Sequence, residues 1–262
     1  MLGLGNSLSN IIVPAAAGGG YTNAYSLDFD GSDDYVEISS SLFQPAIRNS
    51  FTITMWIKIP STDEQIWFSA WNGSANNFRV NLEGTDFNAY FSSSWDDLIV
   101  QSGSVTIPTD EWVHFAITCL KTGTGSDPTV IEFFINETKY TPSPLYSTAL
   151  TAANQGAFNL GSNHFRIGYD PARTANKMLD DTFVHDFSLH EAVLSDLSII
   201  ALYNGGDGSI DQTEDSGNYS ASALIGYWKL DEGSLTTATD SSDSGVDGTL
   251  TNGPVWSTDV PG

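Results

Sequence analysis

From Phe51 to Ile59 the chain reads Phe-Thr-Ile-Thr-Met-Trp-Ile-Lys-Ile, apolar at every second position, and then meets Pro60. Side chains that alternate in this way line the two faces of a strand, and proline ends the strand because it has no N–H to give to a ladder. The pattern recurs at Ile66–Ala70, Asn77–Leu82, Ala89–Phe91, Leu98–Val100, Trp112–Leu120, Val130–Ile135, Phe158–Leu160, Phe165–Tyr169 and Met178–Leu189, and again at 224–230 and 246–250. Intervals of about ten residues, filled with Gly, Asn, Asp and Ser, are the punctuation of an all-β sandwich. Helical periodicity is confined to Leu194–Tyr203, which has Ser195 placed as N-cap and Asn204-Gly205-Gly206 as a stop. The expected fold is therefore an all-β, two-sheet antiparallel jelly-roll sandwich with one short helix and an N-terminal arm.

With 262 residues, a single large β domain can bury roughly three quarters of the surface its unfolded chain would expose, without disulfides or metal staples. The one cysteine, Cys119, falls on the same strand face as Val113, Phe115 and Ile117, which makes it a small buried apolar residue rather than a reactive thiol. Unpaired cysteine usage favours synthesis in a reducing cytoplasm. Asp and Glu number 32 against 9 Lys and Arg, a net charge of −23. That charge repels phosphate backbones and anionic lipid, so neither nucleic acid nor membrane insertion is expected. It suits cationic partners, calcium or plain solubility.

Residues 1–20 contain no Lys or Arg, and Asn6, Ser7, Ser9 and Asn10 interrupt their apolar run, so the segment does not read as a secretory signal. We expect residues 1–24 to form an extended arm hinged at Gly18-Gly19-Gly20, with Leu2, Leu4, Leu8, Ile11, Ile12 and Val13 as its anchoring side chains. No stretch approaches the length of a membrane span.

Two further stretches carry a family resemblance. One is Leu224-Ile225-Gly226-Tyr227-Trp228-Lys229-Leu230-Asp231-Glu232-Gly233, followed by Asp240-Ser241-Ser242 and by Gly248-Thr249-Leu250-Thr251-Asn252-Gly253. The other is Leu27-Asp28-Phe29-Asp30-Gly31-Ser32-Asp33-Asp34-Tyr35-Val36. Together with the Leu202-Tyr203-Asn204 helix ending, they resemble the laminin-G-like, concanavalin A-like sandwiches, over about residues 25–256. In that family the first stretch normally precedes the second, and here the order is reversed. The resemblance thus implies a circular permutation: one sandwich over 25–258, with 205–222 as a linker and 223–256 as permuted strands completing the same sheets. Left unpaired, those strands would be exposed edges. The opening Met-Leu-Gly-Leu-Gly-Asn-Ser-Leu also resembles arms on structural proteins of marine bacteriophages that carry such a module.

Three chemistries follow. Calcium is one, because a Phe-Asp-Gly-x-Asp-Asp turn supplies hard carboxylate and carbonyl oxygens; the candidate ligands are Asp30, Asp33, Asp34, Asp180 and Asp181. The same aspartates could instead hydrogen-bond their own turn backbone. Glycoside hydrolysis, which the family resemblance raises, needs two carboxylates on one strand face about 5–5.5 Å apart in a retaining enzyme. No Glu-x-Asp occurs in the chain, so no catalytic residues are assigned. Carbohydrate recognition is the third. Aromatic rings gather among asparagines between residues 67 and 95, and Trp71 with Asn72, and Trp95 with Asn76, are the candidate sugar contacts. For Trp56, Trp112 and Trp228, core packing is the expected role.

The expectation is a non-enzymatic virion structural or attachment module, a bacteriophage capsid decoration or fibre protein. It would be made in the host cytoplasm and displayed on the virion surface, homo-oligomeric, with capsid or fibre subunits and glycans as partners. A free or cell-surface lectin-like adhesin of a marine bacterium is the alternative.

Overall fold

The computed structural model describes residues 21–71, 77–92, 98–101, 103–125, 129–141, 143–144, 151, 153, 155, 160, 164–171 and 177–262. Strands assemble into two antiparallel sheets. Sheet A runs in the order β10 (Thr138–Tyr140), β9 (Thr129–Ile135), β8 (Trp112–Lys121), β3 (Phe51–Lys58), β13 (Asp180–His190), β1 (Ser26–Asp30), β17 (Val255–Ser257), with β14 (Leu224–Trp228) also on β13. Sheet B runs β11 (Ser143–Pro144), β7 (Leu98–Gln101), β6 (Asp86–Ser92), β5 (Asn77–Glu83), β4 (Gln65–Trp71), β12 (His164–Ile167), β2 (Tyr35–Ser39), β16 (Gly248–Thr251), β15 (Thr237–Ala238). The expected two-sheet sandwich is the observed fold.

Alternation decides what lies between the sheets. Ile53, Met55 and Ile57 of β3 and Phe115, Ile117 and Cys119 of β8 point inward, against Phe68, Phe78, Val80, Ala89, Phe165 and Ile167 of sheet B, all fully buried. Cys119 is packed as a small hydrophobe, as its strand position required. Of the rings expected from sequence to fill the core, Trp228 lies in it, whereas Trp112 is only half-buried, its indole N–H donating to Asp259 at 2.8 Å. Trp56 is buried on the outer side of sheet A, stacked on Tyr203 at 5.8 Å.

Helix α1 (Ser40–Ile47) was not expected, because its eight residues include Pro45. Ser39 caps it by accepting from the Ser41 N–H, and Phe43, Ala46 and Ile47 pack into the core. Helix α2 (Asp196–Tyr203) begins where the sequence places it: Ser195 accepts from the Ser198 N–H, and Asn204 closes the helix in the left-handed conformation. Its residues Ile199 and Leu202, with Ile210 and Tyr219 from the following connector, form a second small core against Ala116 and Phe134 on the outer face of sheet A. Residues 205–223 are thus packed against the sandwich.

The last forty residues enter both sheets. β14 pairs with β13, β17 with β1, and β16 with β2. The two ends of the described chain meet in space: the Ser26 hydroxyl donates to the Asp259 carbonyl at 2.6 Å, and the Asn23 amide donates to the Pro261 carbonyl at 2.9 Å.

Candidate binding face

On β2 and β12, Val36, Ile38, Phe165 and Ile167 are core residues, so alternation turns Tyr35, Glu37, His164 and Arg166 to the outer face of sheet B. Register then aligns one row across five strands: Tyr90 opposite Arg79, Arg79 opposite Ser69, Ser69 opposite Arg166, Arg166 opposite Glu37. Arg166 bonds Glu37 at 2.8 Å and lies over the Tyr35 ring at 5.5 Å, and Tyr35 stacks on Tyr169 at 5.3 Å with the rings 18° from parallel. His164 lies 3.6 Å from the other Glu37 oxygen. Tyr35, Glu37, Arg166 and Tyr169 are all half-buried, open enough to touch a ligand and packed enough to hold their geometry.

The segment carrying Tyr169 is pinned from beneath. Its carbonyl accepts from the Ser69 hydroxyl at 2.8 Å. The next residue, Asp170, is fully buried and pairs with Arg79 at 3.2 Å, and the Arg79 guanidinium lies over the Tyr90 ring, 3.9 Å from its centroid. Breaking a buried pair of this kind strands a charge, at a cost of about 3–5 kcal/mol. Arg79, itself 3% exposed, thus holds the residue next to Tyr169 and is not open to a ligand. Gly168, at φ 95°, permits the close approach, since a Cβ there would fall 2.7 Å from the Phe29 ring.

Beside Tyr35 lies the β1–β2 turn. Asp30, Asp33 and Asp34 each place a carboxylate oxygen within 4.8 Å of the other two. Asp34 is 3% exposed; its Oδ2 accepts the Asp30 N–H at 3.0 Å, and its Oδ1 has no hydrogen-bond partner. An unsatisfied buried acceptor costs about 1–3 kcal/mol. Burial, and then the charges of Asp30 and Asp33, raise the Asp34 carboxyl above its ordinary range, although the Asp30 N–H pulls the other way. Of the other expected ligands, Asp180 packs its backbone against Gly31, and neither Asp180 nor Asp181 joins the three-carboxylate group. Both crowd Asp28, which burial and these neighbours push up to about 6.

Of the expected sugar contacts, Trp71 is half-buried at the end of β4, on the same outer face as Ser69. Asn72, Asn76 and Trp95 lie outside the described residues, as do Leu2, Leu4, Leu8, Ile11, Ile12 and Val13 of the arm. Tyr35, Glu37, Arg166 and Tyr169 lie outside the aromatic-rich stretch between 67 and 95, on or just beyond two strands that only register brings together. Alternation within Phe165-Arg166-Ile167 was the available signal.

The first described residues dock on the opposite face. The Tyr21 hydroxyl donates to Asp186 Oδ1 at 2.6 Å, Tyr227 donates to the same oxygen at 2.7 Å, and His185 Nε2 lies 3.1 Å from Tyr21. Lys229 covers the Tyr21 ring at 4.3 Å. Burial pushes Asp186 up to about 8, against the pull of the two tyrosines and Lys229.

A two-sheet antiparallel sandwich of this topology is a lectin-like fold. The family model for the concanavalin A-like lectin/glucanases superfamily matches residues 30–195, and the chain belongs to that superfamily. Among solved structures, it resembles a putative carbohydrate binding protein from Bacteroides ovatus, with a TM-score of 0.54 and 14% identity over 92% of this chain. The match spans 62% of that protein's length. It also resembles a heptameric SAP-like pentraxin from Limulus polyphemus, with a TM-score of 0.50 and 11% identity over 88% of this chain and 96% of that one. At such identities the likeness is one of fold. No curated protein matches the chain in sequence.

Proposed function

We propose that the protein is a non-enzymatic glycan-binding attachment module, and that the outer face of sheet B around Tyr35, Tyr169, Arg166 and Glu37 is its binding surface. The observation that carries this reading is the half-buried Tyr35–Tyr169 stack beside the Arg166–Glu37 pair. An aromatic face stacks on the apolar face of a pyranose, while guanidinium and carboxylate give and take hydrogen bonds with its hydroxyls. The lack of any Glu-x-Asp pair supports binding without hydrolysis.

Within that reading the module is displayed on a bacteriophage virion, as an oligomeric decoration or fibre component joined to capsid or fibre subunits through residues 1–24. The support is the resemblance of the opening residues to phage arms, and the docking of Tyr21 on sheet A, across the sandwich from the proposed binding face. Glycan-array binding of the intact protein and of Arg166→Ala and Tyr169→Ala tests the first part: selective binding lost in both variants is expected, and no glycan bound by the wild type would overturn it. Labelling of native particles with an antibody to this chain tests the second. Signal on heads or fibres is expected, and unlabelled particles with labelled cells would favour the free or cell-surface adhesin.

A further inference from the structure

The strands that end the two sheets are not alike. β10 carries Lys139, which pairs with Asp196 at 2.9 Å and with Glu132 at 3.4 Å. β11 and β15 are two residues long, and β11 includes Pro144. Charge, brevity and proline keep an open edge from pairing with another chain. β17 itself carries neither charge nor proline. Its residues are Val255, Trp256 and Ser257, and among the described residues β1 is its one strand partner. Val255 is 62% exposed. The loop tied to this strand also displays an apolar side chain: the Trp256 indole N–H donates to the Leu235 carbonyl at 3.1 Å, and Leu235 stands 82% exposed at a φ of 66°. A bulky residue rarely adopts that conformation, and an isolated copy gains nothing by holding a leucine out in water with it.

The surroundings select what fits this edge. Val255 stands opposite Asp28, which Asp180 and Asp181 also crowd. An acidic strand is therefore repelled, and most of this chain is acidic, with a net charge of −23. Residues 1–20 are the exception, with no Asp, Glu, Lys or Arg among them. Within them Ile11, Ile12 and Val13 form a β-branched run as long as β17, stopped by Pro14. A copy's own arm sets off in the wrong direction for its own edge. β1 lies between β13 and β17, and Tyr21 docks on Asp186 of β13 beside Tyr227 of β14, so the chain leaves β1 on the side away from β17.

We propose that residues 11–13 of a second copy of this chain add as a strand to the open edge of β17, covering Val255 and Leu235 and joining copies into a homo-oligomer. Main-chain hydrogen bonds along the edge hold the added strand, and its apolar side chains give the choice of partner. The join brings a neutral segment against the edge, so strongly acidic copies associate without pressing their charged faces together. It requires neither that the protein bind a glycan nor that it sit on a particle.

Light scattering on the full-length protein at about 100 μM, where even interfaces of modest affinity assemble, tests it. An oligomer is expected. Deletion of residues 1–20, Ile12→Asp and Val255→Lys should each leave a monomer, and Val255→Lys, a change to an exposed side chain, should do so with an unaltered thermal midpoint. Leu235→Gly should weaken self-association about tenfold while the midpoint holds or rises, since glycine relieves the left-handed backbone. A mixture of Ile12→Cys copies with Val255→Cys copies should yield, on oxidation, a disulfide-linked pair containing one of each. A monomeric wild type, or an oligomer that survives either the deletion or Val255→Lys, would overturn the proposal. So would a double variant, Ile12→Cys with Val255→Cys, that cross-links only within one chain, because the arm would then cover its own edge.

Discussion

On the outer face of sheet A, His114, His185, His190 and Asp186 are sealed beneath α2, residues 204–223 and Tyr21, each at most 1% exposed. On the outer face of sheet B, Arg166, Glu37, Tyr35 and Tyr169 remain half-open. Both faces come from alternating strands with polar residues turned away from the core. One face has been given a second core, centred on Ile199, Leu202 and Tyr219, and its polar groups have become dry and neutral. The other keeps its charges paired and wet. A polar residue on a strand is thus not by itself a signal of a binding site; what covers it decides.

Both faces depend on one segment, which gives the harshest test of the comparison. Deleting residues 223–262 removes β14 and β17 from sheet A and β15 and β16 from sheet B, along with Trp228 from the core. Burying one tryptophan is worth about 3–5 kcal/mol against alanine, a large share of the roughly 5–15 kcal/mol that holds a domain together. The truncated chain should lose cooperative thermal unfolding and dispersed amide resonances. A folded remainder would make the tail a separate module and would also sink the proposed permutation. Joining residue 258 to residue 25 and opening the chain near 222 should conversely give a folded protein.

Much of this architecture is legible in the amino-acid sequence. Apart from Phe158–Leu160, of which only Leu160 is described and is not in a strand, the expected strands from Phe51 to Leu189 and helix α2 fall within a few residues of where alternation, caps and turns put them, because local pattern and tertiary burial agree there. Helix α1 was not legible, since its formation depends on Phe43 packing against Phe165 and Trp228 rather than on its own propensity. For the candidate site, the acidic turn was visible because its three carboxylates are adjacent in sequence. The Tyr35–Tyr169 platform was not, because its halves stand on β2 and just beyond β12, and nothing local to either says that they become neighbours. Asp186 was invisible as a buried acid for the same reason: its partners Tyr21 and Tyr227 arrive from opposite ends of the chain.

The sealed face should show itself in pH dependence. Burial pushes His114, His185 and His190 down to about 3. Unfolded histidines take up protons near 6.5, so the unfolded state binds more protons below that value and stability falls as pH drops from 6.5 towards 3. We expect the unfolding midpoint to decline steeply over that range. A flat profile would mean that the face is wet. Asp186 acts in the opposite direction. Its folded value of about 8 exceeds the unfolded value near 4, so its contribution is full below pH 4 and is lost as pH rises through 8. Between pH 6.5 and 8, where the histidines no longer contribute, this costs about 2 kcal/mol at ~1.4 kcal/mol per pH unit. Asp186→Asn keeps an acceptor for both tyrosines and removes the titration, so thermal unfolding of this variant should be nearly level from pH 6.5 to 8.

The open face should be almost silent in the same experiments, and that silence is the smallest and most discriminating effect. Arg166 and Glu37 form a part-exposed pair on the surface, worth about 0–1 kcal/mol, and Tyr169 is only half-buried. Arg166→Ala and Tyr169→Ala should therefore move stability by no more than about 1 kcal/mol by denaturant titration while abolishing glycan capture. Arg79→Met separates the two layers of the face. It cannot touch a ligand, yet it removes the Arg79 ion pair from buried Asp170, so it should destabilise by about 3–5 kcal/mol and weaken capture by loosening Tyr169. If Arg79→Met were instead as stable as the wild type, the buried Arg79–Asp170 pair would not be what holds this layer, and the distinction between a sealed polar layer and an open one would fail on this side of the sandwich.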